Sequence, residues 1–250
     1  MASLYFVETL AGMAEGSLLA VTGAEGRHAS TVARVRVGER LRVGDGNGTV
    51  AEVVVEQTER DSLMVRIDRL AHVDPPRPTL VLVQALAKDR RDEMAVQAAT
   101  EVGVDVIVPW AAARSVSRWD GPKIEKGRAR WTAIAREAAK QALRPTVPRI
   151  GSLVSTADLL AGHGDVVWEA RITTLVLDPT ASARLSTWRS GADAEALALV
   201  VGPEGGIDDG ELERFAAAGA HRVRLGDSVL RTSTAGPVGL GLLQAALGRW

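Results

Sequence analysis

Apolar positions along this chain recur in two different rhythms. Through the first seventy residues they come in short, β-rich runs: Leu4-Tyr5-Phe6-Val7, Arg40-Leu41-Arg42-Val43, Val50 to Val55 and Leu63 to Ile67. Alternation over runs this short predicts half-buried strands. Between the second and third runs, Gly44-Asp45-Gly46-Asn47-Gly48 carries both Asp-Gly and Asn-Gly, the strongest short signal for a hairpin. No helix start follows that loop, so a plain hairpin is favoured over a phosphate cradle. One short helix is expected over His28 to Val35. The whole segment reads as a small β-barrel.

Asp74-Pro75-Pro76-Arg77-Pro78 breaks this rhythm. Three prolines in four residues cannot sit inside a helix or a central strand, so the segment reads as a linker. Beyond it, strands and helices alternate. Leu80 to Val83 predicts a strand, Asp89 to Val102 a helix, Val104 to Pro109 a strand, and Lys123 to Leu143 a long helix. Thr174 to Leu177 and Ala196 to Val201 are further strands, Val223-Arg224-Leu225 another, and Ala235 to Leu247 a closing helix. Such alternation predicts a mainly parallel sheet with helices on both faces. The expected organisation is therefore two domains, residues 1–74 and 75–250.

Composition narrows the chemistry. The chain has 250 residues, 46% apolar and 24% charged, as expected of a globular protein. It has no cysteine, which excludes disulfides, thiolate metal sites and a cysteine nucleophile. No run approaches the roughly 18 apolar residues of a membrane span. The N-terminal residues lack the basic and apolar regions of a signal peptide. A cytoplasmic protein is expected. The four histidines, at 28, 72, 163 and 221, have no metal-ligand spacing, so no metal is expected. The phosphate-binding, zinc-helix and dinucleotide-binding fingerprints are absent. Net charge is only -1, but it is segregated. From Gly121 to Arg149 there are eight Lys or Arg against two Glu. From Gly151 to Leu230 there are six Arg against twelve Asp or Glu. A neutral protein with this distribution can carry a basic face.

Two glycine-marked loops near the C-terminus are the main candidates for chemistry. Gly202-Pro203-Glu204-Gly205-Gly206 follows the apolar strand that ends at Val201. It leads to Asp208 and Glu211, which have capping-box spacing for a helix start. Leu225-Gly226-Asp227-Ser228-Val229-Leu230-Arg231-Thr232-Ser233-Thr234-Ala235 follows the last strand and feeds the closing helix. Loops at strand ends are where open α/β sheets bind ligands. Gly202, Gly205 and Gly206 let backbone approach a flat ligand, and Pro203 stiffens the turn. Taken alone, the pattern also fits ordinary turns and a helix cap. Arg136, Lys140 and Arg144 are spaced four apart, opposite Trp131, Ile134, Ala135, Ala138 and Ala142. On a helix they form one basic stripe, either a solvated face or a rail for phosphates.

The two loops together resemble the RsmE family, the 16S ribosomal RNA uridine N3-methyltransferases of the SPOUT superfamily. The first matches that family's GPEGG loop. The second matches its LG-x-x-(I/V)LR-T-x-TA segment, with Ser233 where glutamate is common. Arg27 to Arg34, Asp92 to Val104 and Glu137 to Arg144 are similar to three further family segments, with Ala98 where a lysine is usual. The resemblance implies an N-terminal PUA-like β-barrel RNA-binding domain and a SPOUT α/β domain with a C-terminal trefoil knot. It implies S-adenosyl-L-methionine held in the knot by Leu177, Gly202, Pro203, Glu204, Gly205, Leu225, Gly226, Val229, Leu230 and Thr232. Arg231 is the catalytic candidate, either stabilising charge on uridine or gripping the cofactor carboxylate. RNA contacts are expected from Arg27, His28 and Arg34, and from Arg136, Lys140 and Arg144. The implied substrate is uridine 1498 of 16S ribosomal RNA in the small ribosomal subunit, and the implied assembly a homodimer. A ribose or transfer-RNA methylase of the same superfamily, and a non-catalytic RNA-binding factor, are the alternatives. No residue is identified as the general base.

Overall fold

The structure, a computed structural model, describes residues 3–162, 171–189, 191 and 194–250. The chain forms two compact units. One comprises Met1–Pro75 and Ala139–Val147, the other Pro76–Ala138 and Pro148–Trp250. The chain passes from the first unit to the second between Pro75 and Pro76, and a short later segment also belongs to the first unit. Physical contacts explain why. Leu4 and Phe6 cluster with Ala139 and Val147. The Gly48 amide donates to Pro145 O at 3.1 Å, and the Val147 amide to Gly46 O at 2.9 Å.

In the first unit, β1 (Leu4–Phe6), β2 (Leu18–Val21), β3 (Arg40–Gly44), β4 (Thr49–Thr58) and β5 (Leu63–His72) form one sheet in the order β1-β3-β4-β5-β2. Only the β1–β3 pair is parallel. Alternate residues Val43, Val53, Val65 and Ile67 fill the core around Tyr5. The predicted hairpin joins β3 to β4. Asp45 Oδ1 accepts from the amides of Asn47 at 2.8 Å and Thr49 at 3.1 Å, while Gly46 and Gly48 take φ of 75° and 104°. The expected helix lies earlier than its prediction. α1 spans Gly23–Arg27 and runs into a π-helical turn, His28–Val32. Strand β2 was not foreseen, because Leu-Leu-Ala-Val carries no alternation to read.

The second unit contains β6 (Thr79–Ala85), α2 (Arg91–Glu101), β7 (Val106–Ala111), α3 (Pro122–Gln141, whose last turn belongs to the first unit), β8 (Arg149–Ile150) and β9 (Val154–Ser155). These are followed by α4 (Thr156–Leu160), β10 (Ile172–Leu177), β11 (Ala196–Val201), α5 (Asp209–Ala217), β12 (His221–Val223) and α6 (Thr232–Ala246). The sheet order is β12-β10-β11-β6-β7-β8, with β9 also on β7, and every pairing is parallel. Strand β11 is buried at all six positions and β6 at all but Thr79. Parallel strands covered on both faces require such unbroken apolar runs. Helix α2 starts later than predicted because Asp89 and Arg90 take left-handed φ of 54° and 58°. Helix α3 ends at Gln141, before Leu143 at φ 54°.

Neighbouring elements of this unit are tied through a buried carboxylate. Glu211, 1% exposed, closes the predicted capping box with Asp208 at the start of α5. It also accepts from the Ala113 amide at 3.0 Å and from the Thr156 hydroxyl, which itself accepts from Trp110 Nε1 at 3.1 Å. One side chain therefore joins α5, the segment after β7, and α4. Glu211→Ala should orphan the buried Thr156 hydroxyl and the part-buried Ala113 amide and lower unfolding free energy by about 3 kcal/mol. Urea denaturation compared with wild type measures this, and an unchanged midpoint would remove the hub.

Candidate functional site

The carboxyl ends of β6, β10, β11 and β12 all point to one edge of the parallel sheet. A cavity of about 510 Å³ lies there, entirely within the second unit. The two glycine loops supply much of its wall. Leu177, Gly202, Pro203, Glu204, Leu225, Gly226, Val229, Leu230, Arg231 and Thr232 all line it, whereas Gly205 does not.

A chain of hydrogen bonds explains why the loops meet. Gln84 ends the apolar run of β6 and is fully buried. Its Nε2 donates to Thr232 Oγ1 at 2.9 Å, and Thr232 Oγ1 donates to Gly202 O at 2.8 Å. The second loop is thereby pinned to the first, and both to the central strand. Glu204 fastens the other side, accepting from the Lys88 amide at 2.9 Å and from Arg91 at 3.2 Å. Arg114 braces the same loop with an ion pair to Asp208 at 3.2 Å.

The glycines have separate reasons. A Cβ on Gly202 would lie 2.6 Å from Ile207 Cγ1 and 3.2 Å from the Ile207 amide. Gly202 lets the loop close on Ile207, and it also lines the cavity. Gly206 takes φ 72°, which favours glycine. Gly226 fits the ligand reading, because it lines the cavity and a Cβ there would meet nothing within 4 Å.

Electrostatics separates Arg231 from its neighbours. Arg91, Arg114, Arg222, Arg224 and Arg231 all line the cavity. The first four are paired with Glu204, Asp208, Asp178 and Asp227. Arg231 is exposed and has no ion pair among the described residues. Its backbone caps α6, its carbonyl accepting from the amides of Thr234 at 2.8 Å and Ala235 at 2.9 Å. The backbone is fixed while the guanidinium is uncommitted. Also in the lining, Asp178 is 5% exposed and accepts from Arg222 and from the Thr180 amide and hydroxyl. Burial pushes this carboxyl up, but the Thr180 and Arg222 hydrogen bonds outweigh it and hold it below its ordinary value.

The predicted RNA contacts fare differently. Arg27, His28 and Arg34 are exposed on one segment of the first unit, with Arg27 bonded to Asp61 at 3.0 Å. The stripe of Arg136, Lys140 and Arg144 is corrected. Lys140 Nζ pairs with Glu25 at 3.0 Å, and the two side chains are only 12% and 13% exposed. Arg144 lies beyond the end of α3, so it does not continue the helical ridge. Arg136 and Arg144 are half-buried, while Ala142, placed on the apolar side, is exposed. Among the described residues no cluster of His, Cys, Asp or Glu could hold a metal ion, and no helix is long and apolar enough to cross a membrane. His163 lies outside the described residues.

Sequence reasoning missed Gln84, Arg91, Arg114, Asp178 and Arg222. A polar residue ending an apolar strand was the available signal for Gln84. Thr232→Val should orphan the Gly202 carbonyl and loosen both loops. An unmade bond of about 1–3 kcal/mol implies roughly tenfold weaker cofactor binding with the fold retained, measured by titration calorimetry. Asp178 gives a pH prediction. Its folded value is depressed, so its contribution to stability is complete above about 3.9 and is lost as pH falls through the lower folded value. Asp178→Asn should lower Tm at neutral pH and remove part of the drop below about pH 4, measured by calorimetry.

Comparison with known proteins agrees with this geometry. An RNA methyltransferase domain model matches residues 74–244, and an RNA methyltransferase PUA domain model matches residues 21–68. The chain is 44% identical over 250 residues to ribosomal RNA small subunit methyltransferase E of Mycobacterium tuberculosis, covering 100% of this chain and 94% of that protein. The protein of that name from Bacillus subtilis is 31% identical over 238 residues, 92% of this chain and 91% of its own. Among solved structures, the Neisseria gonorrhoeae ribosomal RNA small subunit methyltransferase E bound to S-adenosyl methionine shares the fold, with a TM-score of 0.85 at 24% identity over 98% of both chains. A Legionella pneumophila protein in complex with the bound cofactor SAM gives 0.83 at 26% identity, again over 98% of both. Full-length identity at this level, with a methyltransferase model spanning more than half of the chain, shows that the chain belongs to the RsmE family, the ribosomal RNA small subunit methyltransferases E.

Proposed function

We propose that this protein methylates N3 of a uridine in 16S ribosomal RNA of the small subunit, using S-adenosyl-L-methionine. The observation that carries the reading is the cavity itself: two pinned glycine loops, an open cradle at Gly226, and, among the described residues, one arginine of five with no ion pair. Family membership and the cofactor-bound relative of Legionella support it.

The residues fit the cofactor. Leu177, Leu225, Val229 and Leu230 offer apolar surface, and Gly202, Pro203, Glu204, Gly226 and Thr232 shape the loops around it. Gly205 stands in the same loop but outside the lining, so its place in the cofactor site rests on the family pattern. Bound S-adenosylmethionine supplies an activated sulfonium methyl group. The protein's part is to align that group with N3, since proximity supplies much of the acceleration. N3 sits on the Watson–Crick edge, so the target base must be unpaired or flipped out. Arg231, held at its backbone and free at its guanidinium, stabilises the negative charge that develops as N3 loses its proton. Arg27, His28 and Arg34 contact the RNA backbone. A PUA-like barrel closure, a trefoil knot around the site, a homodimer and a cytoplasmic location complete the reading, and each rests on the family pattern.

An arginine acting on developing charge contributes mainly in the transition state. Arg231→Ala should therefore lower the single-turnover rate on small subunits by roughly a hundredfold or more at saturating cofactor, about 3 kcal/mol. Lysine should rescue only in part, because it keeps the charge and loses the planar fork. A wild-type rate for Arg231→Ala at saturating cofactor would reduce Arg231 to a cofactor grip. Mass mapping of ribosomal RNA from a deletion strain tests the reaction itself: N3-methyluridine should disappear, and loss of a ribose methyl group instead would overturn the base assignment.

A further inference from the structure

The turn between β6 and α2 serves two cavities. Arg91 lines the one described above, and its neighbours Lys88 and Arg90 line a second cleft of about 360 Å³. Across that cleft stand Trp119, Gly127 and Arg130, from the approach to α3 and its first half. All belong to the second unit.

Three features of the cleft go beyond ordinary surface. First, Trp119 is half-buried and lies edge-on to the buried Trp131, with ring centroids 5.1 Å apart. A Cβ on Gly127 would fall 2.4 Å from the Trp119 indole, so the helix surrenders a side chain to seat this ring. Second, Asp89 and Arg90 are consecutive left-handed residues, which non-glycine backbone seldom adopts. Such strain concentrates at binding turns. Third, the cations here are available. In the lining, Lys88 is exposed with no ion pair among the described residues, and Arg90 and Arg130 share Glu93, at 4.0 Å and 3.1 Å, while staying 77% and 53% exposed. Asp89 and Asp92 also line the cleft, and Lys123 and Lys126, exposed at the head of α3, stand outside it. The exposed cations of α3 are thus at its head, not at the tail where the stripe was expected.

We propose that this cleft is a second RNA subsite, taking an unpaired nucleotide that flanks the methylated uridine. Its base stacks on Trp119 and its phosphates sit among Lys88, Arg90 and Arg130. The inference rests on the RNA substrate of the reading above. Extruding the target base costs its neighbours a stacking partner, and an indole beside cations replaces one.

The test is steady-state methylation of unmethylated small ribosomal subunits at saturating S-adenosylmethionine. Trp119→Leu should raise KM for subunits roughly tenfold or more, leaving cofactor affinity unchanged. Trp119→Phe, which keeps a π-face, should recover most of the loss. The double variant Arg90→Gln, Arg130→Gln should reduce the salt slope of RNA binding by about 0.7 for each phosphate no longer neutralised. Unchanged KM in Trp119→Leu overturns the proposal, as does lost cofactor affinity there, which marks a purely structural ring. Should Trp119→Leu fail to fold, the double variant decides, and an unchanged salt slope overturns the subsite. Wild-type protein that methylates no subunits strikes the proposed function, whereas normal methylation with unaffected variants strikes only the cleft.

Discussion

The site depends on one relay of two hydrogen bonds, Gln84 to Thr232 to Gly202. Each partner comes from a different stretch of chain: the end of β6, the first residue of α6, and the loop after β11. The relay is what joins the second glycine loop to the first and to the central strand. Gln84 and Thr232 are both buried, where an unmet donor or acceptor is costly, so the relay's geometry is strongly enforced. Around it the arginines act as struts. Arg91, Arg114 and Arg222 each tie a carboxylate on one wall of the cavity to another element. This division of labour explains how a cavity can contain five arginines and present one.

How much was legible in the sequence follows from the range of each interaction. The hairpin at Gly44–Gly48 and the capping box at Asp208 and Glu211 are local, and local spacing was enough to place them. The strand β11 was legible to the residue because a buried parallel strand is an unbroken apolar run. The two glycine loops were legible as loops, and their neighbourhood followed from the rule that parallel strands end at one edge. Gln84 was not legible, since its partner lies 148 positions away. The same holds for Asp178 and Arg222, separated by 44.

The basic stripe on α3 shows the opposite failure. Spacing of four correctly says that residues share a helical ridge, provided the helix continues and nothing faces the ridge. Leu143 ends the helical course before Arg144, and Glu25 faces Lys140. Neither fact is written in the stripe. Burying that ion pair makes Lys140 part of the first unit's packing, where removing one partner would strand the other charge. Charge segregation in the sequence was real, but it did not identify which of the cations stay in water.

The 148-residue separation within the relay also has a kinetic meaning. Loop-closure entropy must be met before so distant a contact contributes, and structures rich in such contacts fold slowly. The lining of the ligand cavity runs from Arg91 to Ala235, so no short fragment of the second unit contains it. Binding competence requires the chain from α2 to α6 to be in place. A ligand held there selects the finished unit over every partial one, and its binding energy is spread over the whole parallel sheet rather than confined to the loops that touch it.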